Sequence, residues 1–348
     1  MSLPAEPVST PDLLTSAWVS AALGRMVEVR SVEPVGTGQI GACYRVGLSD
    51  GDGHSSLLAK LPAPDPATRE MLAGAYRGEV TFYADLAATV AVVVPRCDFA
   101  AIRPDSGEFT LLLQDLAPAV QGDQVAGCTV AQARAAVVNL AGLHGPRWCD
   151  PALTDVPGLS LNGPEDAAIL AELYGPATET FLEGPGLAFP DEDVETLRAC
   201  VGVIEGWALA RVGRFGLVHG DYRLDNLMFG PLDEVWAVDW QTLSLALPAR
   251  DLAYFLGTSL TVEDRRSAER DLVAAYHQAL VAHGVAGYDV DACWDDYVFA
   301  MLQGPLVAVF GYAYGTRTER GDRMFAAMAH RACAAIRDHD TLARATRG

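Results

Sequence analysis

His219, Asp221, Arg223, Asp225, Asn226 and Asp239 crowd into one stretch, LVHGDYRLDNLMFGPLDEVWAVDW, from Leu217 to Trp240. An apolar entry leads to a polar cluster, a short apolar run, a turn at GPLDE and a second apolar run that stops at Asp239. The pattern predicts a loop and then a hairpin, with Leu227 to Phe229 and Trp236 to Val238 as its strands. A register centred on the turn sets Asn226 opposite Asp239, two oxygen ligands side by side at the hairpin mouth. Magnesium suits such a pair, because it takes one or two protein oxygens and completes its shell with water and substrate phosphate. Asp221 precedes Asn226 and is separate from the pair. A carboxylate there can accept the proton of an attacking hydroxyl.

The elements that would serve this chemistry lie nearer the N-terminus. Of the 25 basic residues Lys60 is the only lysine, so its place carries information that an arginine's does not. It closes a strand expected over Ser56 to Leu61. Before it, Val27 to Val35 and Cys43 to Leu48 read as strands around a glycine turn, with Gly36, Gly38 and Gly41. A dinucleotide-binding G-x-G-x-x-G opens a helix, whereas Gly41 is followed by Ala-Cys-Tyr-Arg-Val, which alternates like a strand. Strand, glycine turn, strand is the arrangement that lays backbone amides over ATP phosphates in kinase-like folds. A Walker P-loop is excluded, since its G-K-[ST] needs a lysine that the chain lacks. An earlier helix from Thr10-Pro11-Asp12 to Gly24 is expected on the back of this sheet. After Pro62 to Pro66 comes a helix from about Thr68 to Ala88, whose apolar stripe of Leu72, Tyr76, Tyr83 and Leu86 is interrupted by Glu79. A carboxylate inside a buried stripe is costly unless paired. The lone lysine is its natural partner.

His-Gly-Asp-x-x-x-x-Asn followed by an Asp closing the next strand resembles the catalytic core of the aminoglycoside phosphotransferase and choline kinase superfamily, relatives of the protein kinases. HGDYRLDNLMF, VDWQT and ARDLAYFL are most similar to its bacterial ecdysteroid-kinase-like (CHK-type) branch. The resemblance implies an α+β, bilobal protein-kinase-like fold: an N-lobe antiparallel sheet with a helix, and a larger, mostly helical C-lobe. It makes Asp221 the catalytic base and Asn226 and Asp239 the magnesium ligands, and has His219 brace the loop. It puts Arg223 where protein kinases carry a lysine aimed at the transferring phosphate. It has Lys60, held by Glu79, anchor the phosphates of ATP, and has backbone groups of Gln114, Asp115 and Leu116 meet the adenine edge at a hinge. Asp251 would prop the catalytic loop. Gly220 replaces the arginine of H-R-D, and Asp239-Trp240-Gln241 replaces D-F-G with no later A-P-E, so the resemblance points to a small-molecule kinase and away from a protein kinase.

The expected division is residues 1–116 as ATP-binding lobe and 117–348 as catalytic and acceptor-binding lobe. Val92 to Pro95 and Phe109 to Leu113 are expected as the last strands of the first. In the second, Thr129 caps a helix that ends near His144, a histidine read as structural. Residues 150–216 are expected to be helical, with interruptions at Pro164, Gly175-Pro176 and Gly184 to Pro190. With residues 262–348 they would form the acceptor side. Trp294-Asp295-Asp296-Tyr297 is open to two readings, a contact for a cationic acceptor or one helix with an apolar and a wet face.

A net charge of -20 argues against a nucleic-acid partner, which needs clustered Lys and Arg. Seven scattered cysteines, with no C-x-x-C, read as reduced residues of a cytoplasmic protein. The acidic, proline-bearing N-terminus is not a signal peptide. The apolar windows near Leu86 to Pro95 and Phe299 to Tyr314 are read as too short or too broken to span a membrane. The expected activity is ATP- and magnesium-dependent phosphate transfer to a hydroxyl of a small molecule. Aminoglycosides, amino alcohols, sugars, steroids and lipids stay open as acceptors, the oligomeric state stays open, and a nucleotide-binding regulatory module without turnover is the competing class.

Overall fold

The computed structural model describes residues 5–36, 41–49, 53–184, 187–231 and 234–345. The chain divides into two compact units, one of residues 1–89, 94–118 and 238–243, the other of residues 90–93, 119–237 and 244–348.

The first unit is a five-stranded antiparallel sheet ordered β1-β2-β3-β5-β4, with β1 at Glu28–Val35, β2 at Gly41–Ser49, β3 at His54–Pro62, β4 at Cys97–Ile102 and β5 at Phe109–Gln114. Alternation along β3 sends Leu57, Ala59 and Leu61 to one face, into a core with Val46, Leu48 and Val19. Val19 belongs to α1 (Ser16–Leu23), which Thr15 caps and Gly24 ends in the left-handed conformation. The first helix thus packs on the sheet and ends at Gly24, as its sequence suggested, but it begins at Ser16; the expected start at Thr10-Pro11-Asp12 is a separate 3-10 turn, Pro11–Leu13. Lys60, one step along β3, points the other way, toward α2 (Pro66–Thr81). That helix is capped by Asp65 and packs through Tyr76 on Phe109, ring centroids 4.5 Å apart. It continues as a π turn, Phe82–Leu86, and a 3-10 turn, Ala87–Thr89.

Val92 to Pro95 is not a strand, contrary to expectation; Cys97–Ile102 pairs with β5 in its place. The backbone of residues 90–93 is claimed by the second unit. The Ala91 amide donates to the Gly142 carbonyl at 2.8 Å, the Val93 amide to Asn139 Oδ1 at 2.6 Å, and the Ala237 amide to the Val93 carbonyl at 3.0 Å. Gly142 permits this approach, because a Cβ there would lie 2.8 Å from the Ala91 carbonyl carbon and oxygen. Gly142→Ala is therefore expected to destabilise the second unit by about 1–3 kcal/mol, as overpacking against backbone does; urea unfolding followed by circular dichroism checks it.

The second unit contains β6 (Val120–Gln121), α3 (Val130–His144), α4 (Pro164–Leu182), α5 (Asp191–Val201), α6 (Ile204–Leu209), β7 (Gly216–Val218), β8 (Leu227–Phe229), β9 (Val235–Ala237), β10 (Ser244–Ala246), α7 (Ala249–Ser259), α8 (Val262–Ala282), α9 (Val290–Phe299), α10 (Gln303–Tyr314), α11 (Glu319–His339) and α12 (Thr341–Ala345). Thr129 and Gln132 form a capping box on α3. Gly175-Pro176 does not interrupt the 150–216 region: α4 runs through it, packed against α6 and α10, so tertiary burial overrides the local preference of proline. Every residue of α7 is buried.

Val290–Tyr314 also departs from expectation. A 3-10 turn joins α9 to α10 across Ala300–Leu302, and the whole is long and apolar enough to cross a membrane. Its most apolar window is 67% buried within the protein, as an internal helix is.

Candidate functional sites

In the first unit the lone lysine meets two carboxylates. Lys60 Nζ on β3 lies 2.7 Å from Glu79 Oε2 on α2 and 2.8 Å from Asp239 Oδ1. The Lys60 and Glu79 side chains are 11% and 1% exposed, that of Asp239 39%. Burial would lower the ammonium pKa, but Glu79 and Asp239 outweigh it and raise the value, so Lys60 stays charged. Asp239 has φ of 69°. The neighbouring Trp240 stacks on Phe82 with centroids 3.5 Å apart, which ties this segment to the end of α2. With its amide oriented to satisfy both neighbours, Gln241 donates to Asp239 Oδ1 and accepts from Lys60.

Of the glycine turn, Gly36 adopts φ of 73° and Gly41 opens β2 opposite Pro62, where a Cβ would stand 2.9 Å from the Leu61 carbonyl oxygen. Gly38 lies outside the described residues. At the expected hinge the Gln114 amide donates to the Arg96 carbonyl at 2.8 Å. The Asp115 carboxylate receives Arg45 Nε and Ser56 Oγ, each at 2.7 Å, and the Ala117 amide at 3.2 Å. Its side chain therefore holds β2, β3 and the strand exit together. Leu116 is half-buried.

The second unit holds the His-Gly-Asp loop between β7 and β8. Asp251, in the first turn of α7, accepts the His219 amide at 2.6 Å and the Gly220 amide at 2.9 Å; Gly220 has φ of 79°. His144, fully buried, sits 3.3 Å from Asp251 and 2.7 Å from the Tyr276 hydroxyl. These groups fix the loop's backbone. Asp221 then projects a carboxylate that is 23% exposed. Its Oδ1 accepts from the Tyr254 hydroxyl at 2.9 Å, and its Oδ2 accepts from Arg223 Nε at 3.0 Å and Asn226 Nδ2 at 2.8 Å. Asn226 Nδ2 also donates to the Asp221 carbonyl at 2.9 Å. With the amide nitrogen committed to Asp221, the amide oxygen is the atom Asn226 can offer a cation.

Asp221, Arg223 and Asn226 are thus brought together. Three partners were not foreseen, Tyr254, Gln124 and Arg320, and Asp225 was seen in the cluster but given no role. Tyr254 follows Asp251 by one helical turn, a signal inside ARDLAYFL that periodicity could have found. Asp225 lies in the motif itself. It accepts the Gln124 amide at 3.0 Å and two bonds from Arg320 at 2.8 Å each. Gln124 also accepts the Leu224 amide at 2.8 Å. Nothing local in the sequence points to Gln124 or Arg320.

The hairpin corrects one expectation. With Asn226 opposite Asp239, Leu227 would face Val238; the ladder pairs Leu227 with Ala237 and Phe229 with Val235. Val235 is a strand residue, and the Gly230 amide donates to the Glu234 carbonyl to close the loop before it, so the register is one residue out. Asn226 belongs to the second unit and Asp239 to the first. Among the described residues no three His, Cys, Asp or Glu side chains gather as a metal cage. The string at 294–297 resolves as structural: Asp296 is buried against Arg211 and Arg214, Tyr297 donates to Glu269, and Arg270 stacks 3.5 Å above Trp294.

Residues 214–285 match the ecdysteroid kinase-like family. Several solved structures share the fold over most of the chain. Macrolide 2'-phosphotransferase MphH of Brachybacterium faecium aligns at TM-score 0.51 and 18% identity, over 92% of this chain and 97% of its own. The fold is that of the aminoglycoside phosphotransferase and choline kinase superfamily. Choline kinase of Cryptosporidium parvum Iowa II aligns to this phosphotransferase-like fold at TM-score 0.53 and 9% identity, over 91% of this chain and 89% of its own. LicA in complex with AMP aligns at 0.52 and 15%, over 93% and 97%. No curated protein sequence matches the chain.

Proposed function

We propose that this protein is a small-molecule kinase that moves the γ-phosphate of ATP to a hydroxyl of its acceptor. The observation that carries the reading is the Asp221 carboxylate, oriented by Tyr254, Arg223 and Asn226 yet still 23% exposed. A base so held accepts the hydroxyl proton as the acceptor oxygen bonds to the γ-phosphorus and the bond to the ADP oxygen breaks. The ecdysteroid kinase-like match over this loop, and a fold shared with phosphotransferases and with an AMP complex, support the same reading.

The first unit is the nucleotide-binding one in this proposal. Lys60, kept charged and aimed by Glu79, orients the phosphates, and the segments that carry Gly36, Gly41 and residues 114–116 are assigned to the nucleotide as well. The second unit supplies the catalytic loop and the acceptor side. Asn226 in the second unit and Asp239 in the first each offer a hard oxygen, an amide oxygen and a carboxylate, of the kind magnesium takes in small number, and are assigned to it in this proposal. When bound, the ion would neutralise charge on the phosphates. In this proposal Arg223, whose guanidinium contacts Asp221, offsets charge on the transferring group. Seven free cysteines suit a cytoplasmic location, where ATP is found, and the acidity of the chain suits a neutral or cationic acceptor more than nucleic acid.

Magnesium-dependent ATP turnover by the purified protein, against pooled aminoglycosides, amino alcohols, sugars, nucleosides and sterols, tests the proposal. Transfer to one pool is expected, lost with chelator and restored by added magnesium. ATP binding without transfer to any pool would favour a regulatory module; transfer that persists in chelator would remove the assigned roles of Asn226 and Asp239.

A further inference from the structure

Four charges alternate along one line of contacts in the second unit: Asp221, Arg223, Asp225 and Arg320. Arg320 holds both Asp225 oxygens at 2.8 Å, and the Gln124 amide adds a third donor at 3.0 Å. Arg223 reaches the same carboxylate only through Nη1, at 3.2 Å, while its Nε lies 2.9 Å from Asp221 Oδ1. The shared guanidinium therefore leans toward Asp221. We propose that Arg320 is a positioning residue for the base: by saturating Asp225 it keeps the Arg223 guanidinium on Asp221.

Two features support this assignment. A carboxylate and a guanidinium prefer a two-bond pair. Without Arg320, Arg223 is the guanidinium in contact with Asp225 and would turn to take both oxygens. The Arg223 and Asp225 side chains are only 18% and 10% exposed, so water competes weakly for either. Arg320 also stands in the first turn of α11, where a cation opposes the helix dipole. The contact with Asp225 accounts for a cation in that place; Asp123, at 3.5 Å and 58% exposed, is the weaker partner.

The inference rests on reading Asp221 as the base, and its test separates the two. In Arg320→Gln, kcat with the acceptor found by the panel should fall about ten- to a hundredfold, as a misplaced reacting group brings. KM for ATP should stay within about twofold, the pattern of an interaction made in the transition state. Arg320→Lys should retain part of the rate. The Arg320→Gln/Asp225→Asn double variant should recover most of it, because the pull on Arg223 is gone; were Arg320 merely an anchor for α11, the second substitution would worsen the loss. The Arg223 Nε–H signal in nitrogen-15 NMR, assigned by its absence in Arg223→Lys, reads the contact without turnover. Its protection from exchange should drop in Arg320→Gln and return in the double variant. A wild type that never transfers phosphate would defeat the kinase reading while this signal still decided the brace. Unchanged protection in Arg320→Gln, or a double variant no better than the single, would overturn the proposal.

Discussion

Asp221→Asn is expected to lower phosphate transfer by about 10²- to 10⁴-fold, the range in which a positioned general base contributes, while ATP affinity changes little. The two side chains have the same shape, so Tyr254 can still donate to the amide oxygen where Oδ1 now accepts it at 2.9 Å. The amide nitrogen then faces Arg223 Nε and Asn226 Nδ2, two donors that Oδ2 accepts today at 3.0 and 2.8 Å. The loop loses those bonds and the proton acceptor together, but its backbone stays tied to Asp251. Steady-state rates and calorimetric ATP binding on the same preparation separate the outcomes. A loss of ATP affinity as large as the loss of rate would make Asp221 a nucleotide or metal residue and not the base.

Lys60 carries the second large effect. Lys60→Met leaves Glu79, 1% exposed, without its ammonium partner, and an uncompensated buried charge of this kind costs about 3–5 kcal/mol. The Lys60→Met/Glu79→Met double variant should regain much of that stability, since an apolar pair of similar volume can replace a buried ion pair, yet it should remain unable to use ATP. Lys60→Arg keeps the charge but not the geometry. Nζ fits between Glu79 and Asp239 at 2.7 and 2.8 Å as a compact point charge, a place that a planar fork does not match. KM for ATP should rise in that variant although the fold is retained. Thermal denaturation alongside ATP kinetics distinguishes the two effects, and full activity in Lys60→Arg would end the argument built on the chain's one lysine.

The parts of the site that were legible in the sequence are those where neighbours along the chain are neighbours in space. Asp221, Arg223 and Asn226 sit in one loop, so their meeting follows from covalent proximity. The Lys60–Glu79 pair was legible for a different reason: a carboxylate in an apolar helical stripe demands a cation, and the chain holds one lysine. The sheet followed from alternation and the helix on either side of it from apolar spacing, whereas the true caps, Thr15 and Asp65, were not read from the sequence. The misreadings share a cause as well. Val92 to Pro95 has strand-like residues, but Asn139 of α3 and the Ala237 amide supply the hydrogen bonds of Val93. Gly175-Pro176 looks like a break, but burial holds α4 together. The hairpin register turned on whether Val235 joins the strand or the turn, a choice set by its burial and its pairing with Phe229.

By itself the sequence placed most strands and helices, gathered the polar side chains of the loop at 219–226 and paired Lys60 with Glu79, because periodicity, covalent proximity and the need to neutralise buried charge act over short stretches, while the class of fold came from the resemblance of its motifs to a known family. Asp251 under the loop backbone was expected from the resemblance, but only the tertiary structure decided which other distant groups complete the loop: Tyr254 on Asp221, and Arg320 on Asp225 from 95 residues away. Those contacts depend on how α7 and α11 pack, and packing is a property of the whole buried surface that no local pattern encodes.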